Sequence, residues 1–288
     1  MERLTLVTKQ SKDYELIDSG GEEKLERFGD VVLSRPDPQA LWPKLKPEEW
    51  AKANGVYVKE SGSAAGKWTG NIPPEWPIEF GGLKMLVKPT SFKHTGLFPE
   101  QLSNWEYMSA LLAQKPGAKV LNLFAYTGGA SLAAAKAEAE VTHVDASKSA
   151  VAWARENAAA SGLEDKPIRW MIEDVLVFVN REIKRGNKFD AIIMDPPAFG
   201  HGPKSEIWKI EENFVELVEL CKQLLSEKPL FVLINGYAEG YSPLAFAYNL
   251  TDLKEKFGGE VECGELTIEE KGSERLLPAG IFARWRKS

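Results

Sequence analysis

Five times between Val120 and Lys256 a short apolar run is followed by a segment long enough for a helix. VLNLFA (120–125) precedes a helical stretch near 129–138, VTHVDA (141–146) one near 148–161, and IRWMIE (168–173) one near 174–185. FDAIIMD (189–195) is followed, after a loop, by 211–226, and PLFVLIN (229–235) by 243–256. Apolar strands alternating with helices are the pattern of a parallel sheet covered on both faces. The tail, VECGELTIEE then PAGIFARWRK, reads instead as two antiparallel strands. The expected fold class is α/β, a doubly wound, mostly parallel sheet closed by an antiparallel C-terminal hairpin.

The first hundred residues have a different rhythm. RLTLVT and YELID are β-rich, SGGE (19–22) and SRPDP (34–38) are turn clusters, and KPEEWAKANG fits one short helix with Gly55 near its C-cap. Residues 60–82, rich in Gly, Ser and Pro, are expected to form a long loop whose Trp68 and Trp76 pack over a thin β core. LKMLVKPTSFKHTGLFPEQ reads as a strand and an ordered loop. Two domains follow: a small β-rich one over 1–100, a possible substrate platform, and an α/β one over 101–288. The chain of 288 residues is ample for both.

Charge and cysteine usage remove several function classes. Lys and Arg number 36 against 42 Asp and Glu, a net charge of −6. A large phosphate footprint normally makes a protein basic, so any RNA contact must rest on a local patch. No apolar run approaches 18 residues, and the N-terminus has no signal-peptide core, so no membrane span is expected and a cytoplasmic location is. Two distant cysteines and three histidines offer neither a disulfide framework nor a metal site. Nothing sets an oligomeric state.

In doubly wound sheets ligands bind beyond the carboxyl ends of the strands. The residues there are therefore the informative ones. After the first strand comes Phe124-Ala125-Tyr126-Thr127-Gly128-Gly129, where two glycines let backbone approach a ligand or simply make a strand-to-helix turn. After the second comes Asp145-Ala146-Ser147. Asp145 suits ribose hydroxyls, and Asp145 or Ser147 also suits a helix N-cap. After the third comes Glu173-Asp174, a carboxylate pair for an adenine amino group or another N-cap. After the fourth, Asp195-Pro196-Pro197 stops the strand, because proline cannot donate to a ladder.

A glycine turn, two acids and DPP in series resemble class I S-adenosylmethionine-dependent methyltransferases, whose sheet is Rossmann-like and closes with an antiparallel hairpin. More narrowly, NLFAYTGG, ARENAAASGL, DPPAFG and GLKMLVKP…KHTGLFPEQ resemble the bacterial ribosomal RNA methyltransferases that include the large-subunit cytosine-C5 and guanine-N7 enzymes. The resemblance reaches from about Gly82 to the C-terminus, and no PUA module is apparent. It implies S-adenosylmethionine held by Phe124, Ala125, Tyr126, Thr127, Gly128, Gly129, Asp145, Ala146, Ser147, Asn157, Glu173, Asp174 and Asp195. It also implies that Phe98 and Gln101, with the Lys93-His94-Thr95-Gly96 stretch, lie near the cofactor. Asn157 reads equally as a cap signal before Gly162, and His94 as a solvated loop residue.

The same resemblance implies that Asp195 and the Pro196-Pro197 carbonyls line the reacting pocket. Phe199 would stack on a flipped-out base. Here Ala198 separates the prolines from the aromatic, which departs from the amino-nitrogen methyltransferases. Cytosine-C5 methylation needs a thiolate to attack C6. In the C5 members that cysteine follows the fifth strand, where this chain has Asn235-Gly236-Tyr237. Cys221 and Cys263 read as structural. The expected function is methyl transfer to RNA, at nitrogen rather than cytosine C5. A protein or small-molecule acceptor, or a silent binding module, stands as the alternative; without GxGxxG a nicotinamide dehydrogenase does not fit. HGPKSEIWK after the DPP loop shows no periodicity and is expected to be poorly ordered without RNA, with His201 and Lys204 placed to reach phosphate. His143 is expected to be a satisfied core residue.

Overall fold

A computed structural model describes residues 1–59, 65–237 and 240–287. The chain divides into two compact units that are not consecutive in sequence: one is Met1–Leu6, Ser103–Glu265 and Gly280–Ser288, the other Val7–Leu102 and Leu266–Ala279. A single cut near 100 does not capture this division. The first six residues belong with the α/β unit, and the tip of the C-terminal hairpin belongs with the small one.

The chain opens with β1 (Glu2–Thr8). The small unit then supplies β2 (Tyr14–Gly20), β3 (Glu23–Phe28), β4 (Val31–Pro36), the single-turn α1 (Pro47–Trp50), β5 (Gly55–Lys59) and β6 (Gly66–Gly70). β7 (Trp76–Phe80) and β8 (Leu83–Val87) form a separate hairpin. Strands β2 to β6 make one sheet in chain order. The expected loop over 60–82 contains two strands, β6 and β7, with 60–64 outside the described residues. Its tryptophans are what order it: Trp68 packs edge-on against Tyr57 at 5.4 Å, and Trp76 Nε1 donates to the Phe28 carbonyl at 2.8 Å.

The core of the small unit is built on Tyr14, whose ring meets Phe28 at 5.2 Å and Phe80 at 5.6 Å. Beneath it lies a buried ionic pair. Glu26 accepts from Tyr14 Oη at 2.8 Å and from Arg35 Nε at 2.6 Å. Burial pushes the Glu26 carboxyl up, but the Arg35 and Lys24 charges and the bonds from Arg35 and Tyr14 outweigh it and hold its pKa down to about 2.

The α/β unit adds α2 (Leu102–Leu112), β9 (Lys119–Leu123), α3 (Gly129–Lys136), β10 (Glu140–Asp145), α4 (Lys148–Ala160) and β11 (Ile168–Ile172). Then come α5 (Val175–Lys184), β12 (Ala191–Met194), the short β13 (Phe199–His201) and β14 (Ile207–Lys209), α6 (Ile210–Gln223) and β15 (Phe231–Gly236). The expected helix over 243–256 is broken into α7 (Pro243–Ala247), a 3-10 turn at Tyr248–Leu250 and α8 (Thr251–Phe257). The hairpin is β16 (Glu260–Glu269) and β17 (Leu276–Arg286).

The large sheet runs β1-β16-β17-β15-β12-β9-β10-β11. β15, β12, β9, β10 and β11 are parallel, and β17 pairs antiparallel with β15. From β9 the chain steps outward to β10 and β11, then returns to β12 on the other side of β9. The switch point therefore falls between β9 and β12, which is where a doubly wound sheet opens a crevice. β1 fits beside β16 because Gly264 has no side chain: a Cβ there would sit 1.7 Å from the Leu4 carbonyl oxygen.

The Glu26 pair generates a stability prediction. Glu26→Ala leaves Arg35 buried without its partner and is expected to cost about 3–5 kcal/mol in urea unfolding at neutral pH. With Glu26 held below its ordinary pKa, its contribution is present above about pH 4.5 and is lost as pH falls toward 2. The deficit of Glu26→Ala relative to wild type is therefore expected to shrink across that window.

Candidate active site

Sheet register sets the site. Leu123 is level with Val144 on one side and with Met194 on the other. One residue further along, Phe124, Asp145 and Asp195 leave neighbouring strands in a row, about 4.8 Å apart per strand.

β9 stops at Leu123 rather than running on to Ala125 because the backbone turns left-handed. Phe124 has φ 54°, Tyr126 φ 48° and Gly128 φ 87°. Two bulky residues in this region are strained, by about 1–3 kcal/mol each, and such strain persists only where the surroundings over-determine it. Here they do. Tyr126 N–H donates to Asp145 Oδ2 at 2.8 Å, Ala125 N–H to the Val144 carbonyl at 3.1 Å, and the fully buried Asn157 donates to the Thr127 carbonyl at 2.9 Å. Gly129 begins α3 against the Trp105 ring, so close that a Cβ would lie 2.2 Å from Cζ2.

Asp145 takes a second amide bond, from Ser147 N at 2.8 Å on Oδ1. Burial pushes its carboxyl up, against the amides of Ser147 and Tyr126. Each oxygen thus has one backbone donor and retains a lone pair, which suits it to hold a pair of hydroxyls. The capping role falls to its neighbour: Ser147 Oγ accepts from Ala150 N at 3.2 Å. Ala146 lies between them, half-buried. Asp174 caps α5, its Oδ1 accepting from Val177 N at 3.0 Å, and Glu173 is gripped by Arg181 at 2.5 Å.

Asn157 is not on the surface of this site. It acts from below, through the turn. His143 is likewise beneath it, fully buried and bonded through Nδ1 to Ser131 Oγ at 2.9 Å, with Asn122 on the same hydroxyl. Burial lowers its pKa to about 3, so the ring is neutral. Its Nε2 has no partner among the described residues, so the core histidine is half satisfied.

At the end of β12, Asp195 receives no side-chain donor among the described residues. The side chain is exposed, and the protein packed around its carboxyl pushes the pKa up to about 6. Pro196 is buried and Pro197 exposed. Phe199 is 54% exposed and meets the His201 ring edge-on at 4.9 Å.

The segment after it is not irregular. β13 and β14 form an antiparallel hairpin, pairing Phe199 with Lys209, Gly200 with Trp208 and His201 with Ile207. Trp208, inside this aperiodic stretch, is the reason. It is 3% exposed, its Nε1 donates to the Pro197 carbonyl at 2.7 Å, and its ring meets Phe124 at 4.8 Å. The available signal was a lone tryptophan in an otherwise polar stretch. His201 and Lys204 are exposed on this hairpin.

Neither cysteine is at the carboxyl ends. Cys221 is buried in α6 and Cys263 in β16, and burial raises both thiols. Among the described residues no three His, Cys, Asp or Glu side chains converge on a possible metal position, and no helix is long and apolar enough to cross a membrane. Phe98 and Gln101 belong to the small unit, flanking and ending a 3-10 turn at Pro99–Gln101. His94 packs on Phe98 at 5.5 Å and is not a solvated loop residue; burial, with Arg35, Lys93 and Lys24 nearby, lowers its pKa to about 4.

The buried amide under the turn is open to test. Asn157→Ala removes one bond from the Thr127 carbonyl and is expected to weaken S-adenosylhomocysteine binding about 10-fold, read by calorimetry, while circular dichroism stays that of the folded chain.

Comparison with known proteins agrees with this geometry. A solved S-adenosylmethionine-dependent methyltransferase from Agrobacterium tumefaciens superposes with a TM-score of 0.94 at 38% identity, over 99% of this chain and 94% of that one. A methyltransferase solved with S-adenosylhomocysteine shares the fold, with a TM-score of 0.70 and 20% identity over 96% of this chain and 76% of that one. Among curated relatives, ribosomal RNA large subunit methyltransferase I of Aeromonas salmonicida is 34% identical over 55% of this chain and 40% of its own length. Methyltransferase K/L of a Shewanella strain is 34% identical over 73% of this chain and 28% of its own. The chain thus spans less than half the length of these curated relatives. Residues 49–242 match the S-adenosylmethionine-dependent methyltransferase family, and with the strained glycine turn, Asp145 and the DPP loop at the carboxyl ends of three neighbouring strands, the chain belongs to that family.

Proposed function

We propose that the protein methylates a nucleobase of RNA, ribosomal RNA being the expected class, at a nitrogen atom. The observation that carries this reading is an Asp195 carboxylate just past β12 that receives no side-chain donor among the described residues, followed four residues on by the exposed ring of Phe199. A carboxylate and a flat apolar face together match the edge and the plane of an extruded base. The names of the curated relatives, both ribosomal RNA methyltransferases, support the same acceptor class.

The cofactor fits the residues present. Asp145 keeps a lone pair on each oxygen for ribose hydroxyls, the Phe124–Gly129 backbone lines the turn beside it, and Asp174 retains its second carboxylate oxygen for an adenine amino group. Ala146, Ser147 and Glu173 complete the proposed cradle. Held by these residues, S-adenosylmethionine would supply an electrophilic methyl group to an acceptor lone pair.

The chain's own residues orient and desolvate. Asp195 and the Pro196 carbonyl hold the acceptor edge, Phe199 holds the ring plane, and His201 and Lys204 reach the flanking phosphates. Alignment and exclusion of water supply most of the acceleration in such a displacement. Nitrogen is favoured over cytosine C5 because both thiols are buried away from the strand ends.

Three outcomes are expected. Tritiated S-adenosylmethionine should label RNA, and not protein, from cells lacking the gene, and Asp195→Ala should reduce this about 10²- to 10³-fold; 5-methylcytidine in the product would refute the nitrogen assignment. Transfer should rise with pH through about 6 as Asp195 ionises, in a single-turnover profile. Because the folded carboxyl binds its proton more tightly than the unfolded one, Asp195 lowers stability as pH rises from about 4 to 6. Asp195→Asn should therefore melt no lower than wild type at pH 8 while transferring poorly.

A further inference from the structure

The loops after β9 and β12 carry different halves of the reaction, yet one side chain touches both. Trp208 Nε1 donates to the Pro197 carbonyl at 2.7 Å, and the same indole packs edge-to-face on Phe124 at 4.8 Å and 61°. It is 3% exposed, although Lys204, Ser205 and Ile207 before it are exposed. Two further bonds hold it in place. Ile210 N–H donates to the Ala198 carbonyl at 3.0 Å, and Lys209 N–H to Asn213 Oδ1 at 2.9 Å. The hairpin pairing of Gly200 with Trp208 lays the indole back over the acceptor loop. Phe124 is the first left-handed residue of the cofactor turn.

We propose that Trp208 is a positioning residue that couples the cofactor turn to the acceptor loop, so that binding on one fixes the geometry of the other. The proposal rests on family membership and on no particular acceptor. Trp208 also occupies the Pro197 carbonyl, which leaves the Asp195 carboxylate and the Pro196 carbonyl to face the acceptor. In-line transfer requires the two loops to keep their separation closely, and a displacement near 1 Å can lower a rate about 100-fold. A side chain that bridges them holds that separation directly; two loops anchored only to their own strands would drift independently.

The test separates coupling from simple stability. In the wild-type protein, S-adenosylhomocysteine should slow amide hydrogen exchange at 198–201 as well as at 124–132. Trp208→Phe keeps an aromatic ring against Phe124 and removes the donor. It should bind S-adenosylhomocysteine within about 3-fold of wild type, lose the ligand-dependent protection at 198–201, and transfer methyl about 10- to 100-fold more slowly in single turnover. Should Trp208→Phe melt too low to assay, 3-benzothienylalanine at position 208 keeps the bicyclic ring, replaces the N–H with a sulfur that cannot donate, and should give the same pattern. Ligand-dependent protection that persists at 198–201 without the donor, or that is absent in wild type, overturns the proposal. So does a parallel loss of binding and transfer. The exchange readout needs no acceptor, so it decides the matter even if RNA proves not to be the substrate.

Discussion

The pairing of β12 with β9 is the constraint on which the site depends. All four residues of β12 are buried, and Leu123 on β9 is fully buried opposite Met194. A one-residue slip would turn every side chain of so short a strand to the opposite face. The register is therefore held by both faces of the sheet at once. With it held, the turn that follows Leu123 and the acid that follows Met194 are neighbours by construction. The sheet brings them side by side, and Trp208 then bridges the loops that follow.

The sheet delivers the backbone to the right place, and a layer of buried polar groups then keeps it in an unfavourable shape. Phe124 and Tyr126 lie in a region that bulky residues avoid. Asn157 beneath Thr127 and Asp145 beside Tyr126 supply the bonds that offset the strain. The Asn122, Ser131 and His143 chain fills the space under α3 without a charge, since the imidazole is neutral. A rigid, strained turn is what a binding loop needs if its geometry is to be ready before the ligand arrives.

How much of this could be read in the sequence varied with the kind of signal. The α/β rhythm was plain because buried parallel strands are continuous apolar runs, and the row of Phe124, Asp145 and Asp195 followed from looking at strand ends. The split between Asp145 and Ser147 was also visible as two adjacent capping residues, with geometry deciding which one caps. Harder cases share one feature: order imposed by a tryptophan inside the segment that reaches a carbonyl outside it. Trp68 and Trp76 turn a Gly-, Ser- and Pro-rich stretch into strands, and Trp208 folds an aperiodic segment into a hairpin. Periodicity carries no trace of such contacts, because each depends on one side chain finding one carbonyl. Asn157 stands out as a polar residue late in a helix, yet its action through Thr127 from inside the core is not legible, since a helix position alone does not say what lies across from it. The discontinuous units were hidden for the same reason: β1 reads like any other N-terminal strand until its edge partner β16 is known.

That discontinuity bears on how the protein can be dissected. The backbone passes between the units at residues 6–7, 102–103, 265–266 and 279–280. The small unit is therefore an insertion tied in at four points, rather than a module hung on one linker. A fragment beginning at Ser103 would lack β1, leaving β16 as an open edge with Gly264 and an unpaired row of amides exposed to other chains. Aggregation of such a fragment would report a missing edge strand, and would say nothing about whether the small unit recognises substrate.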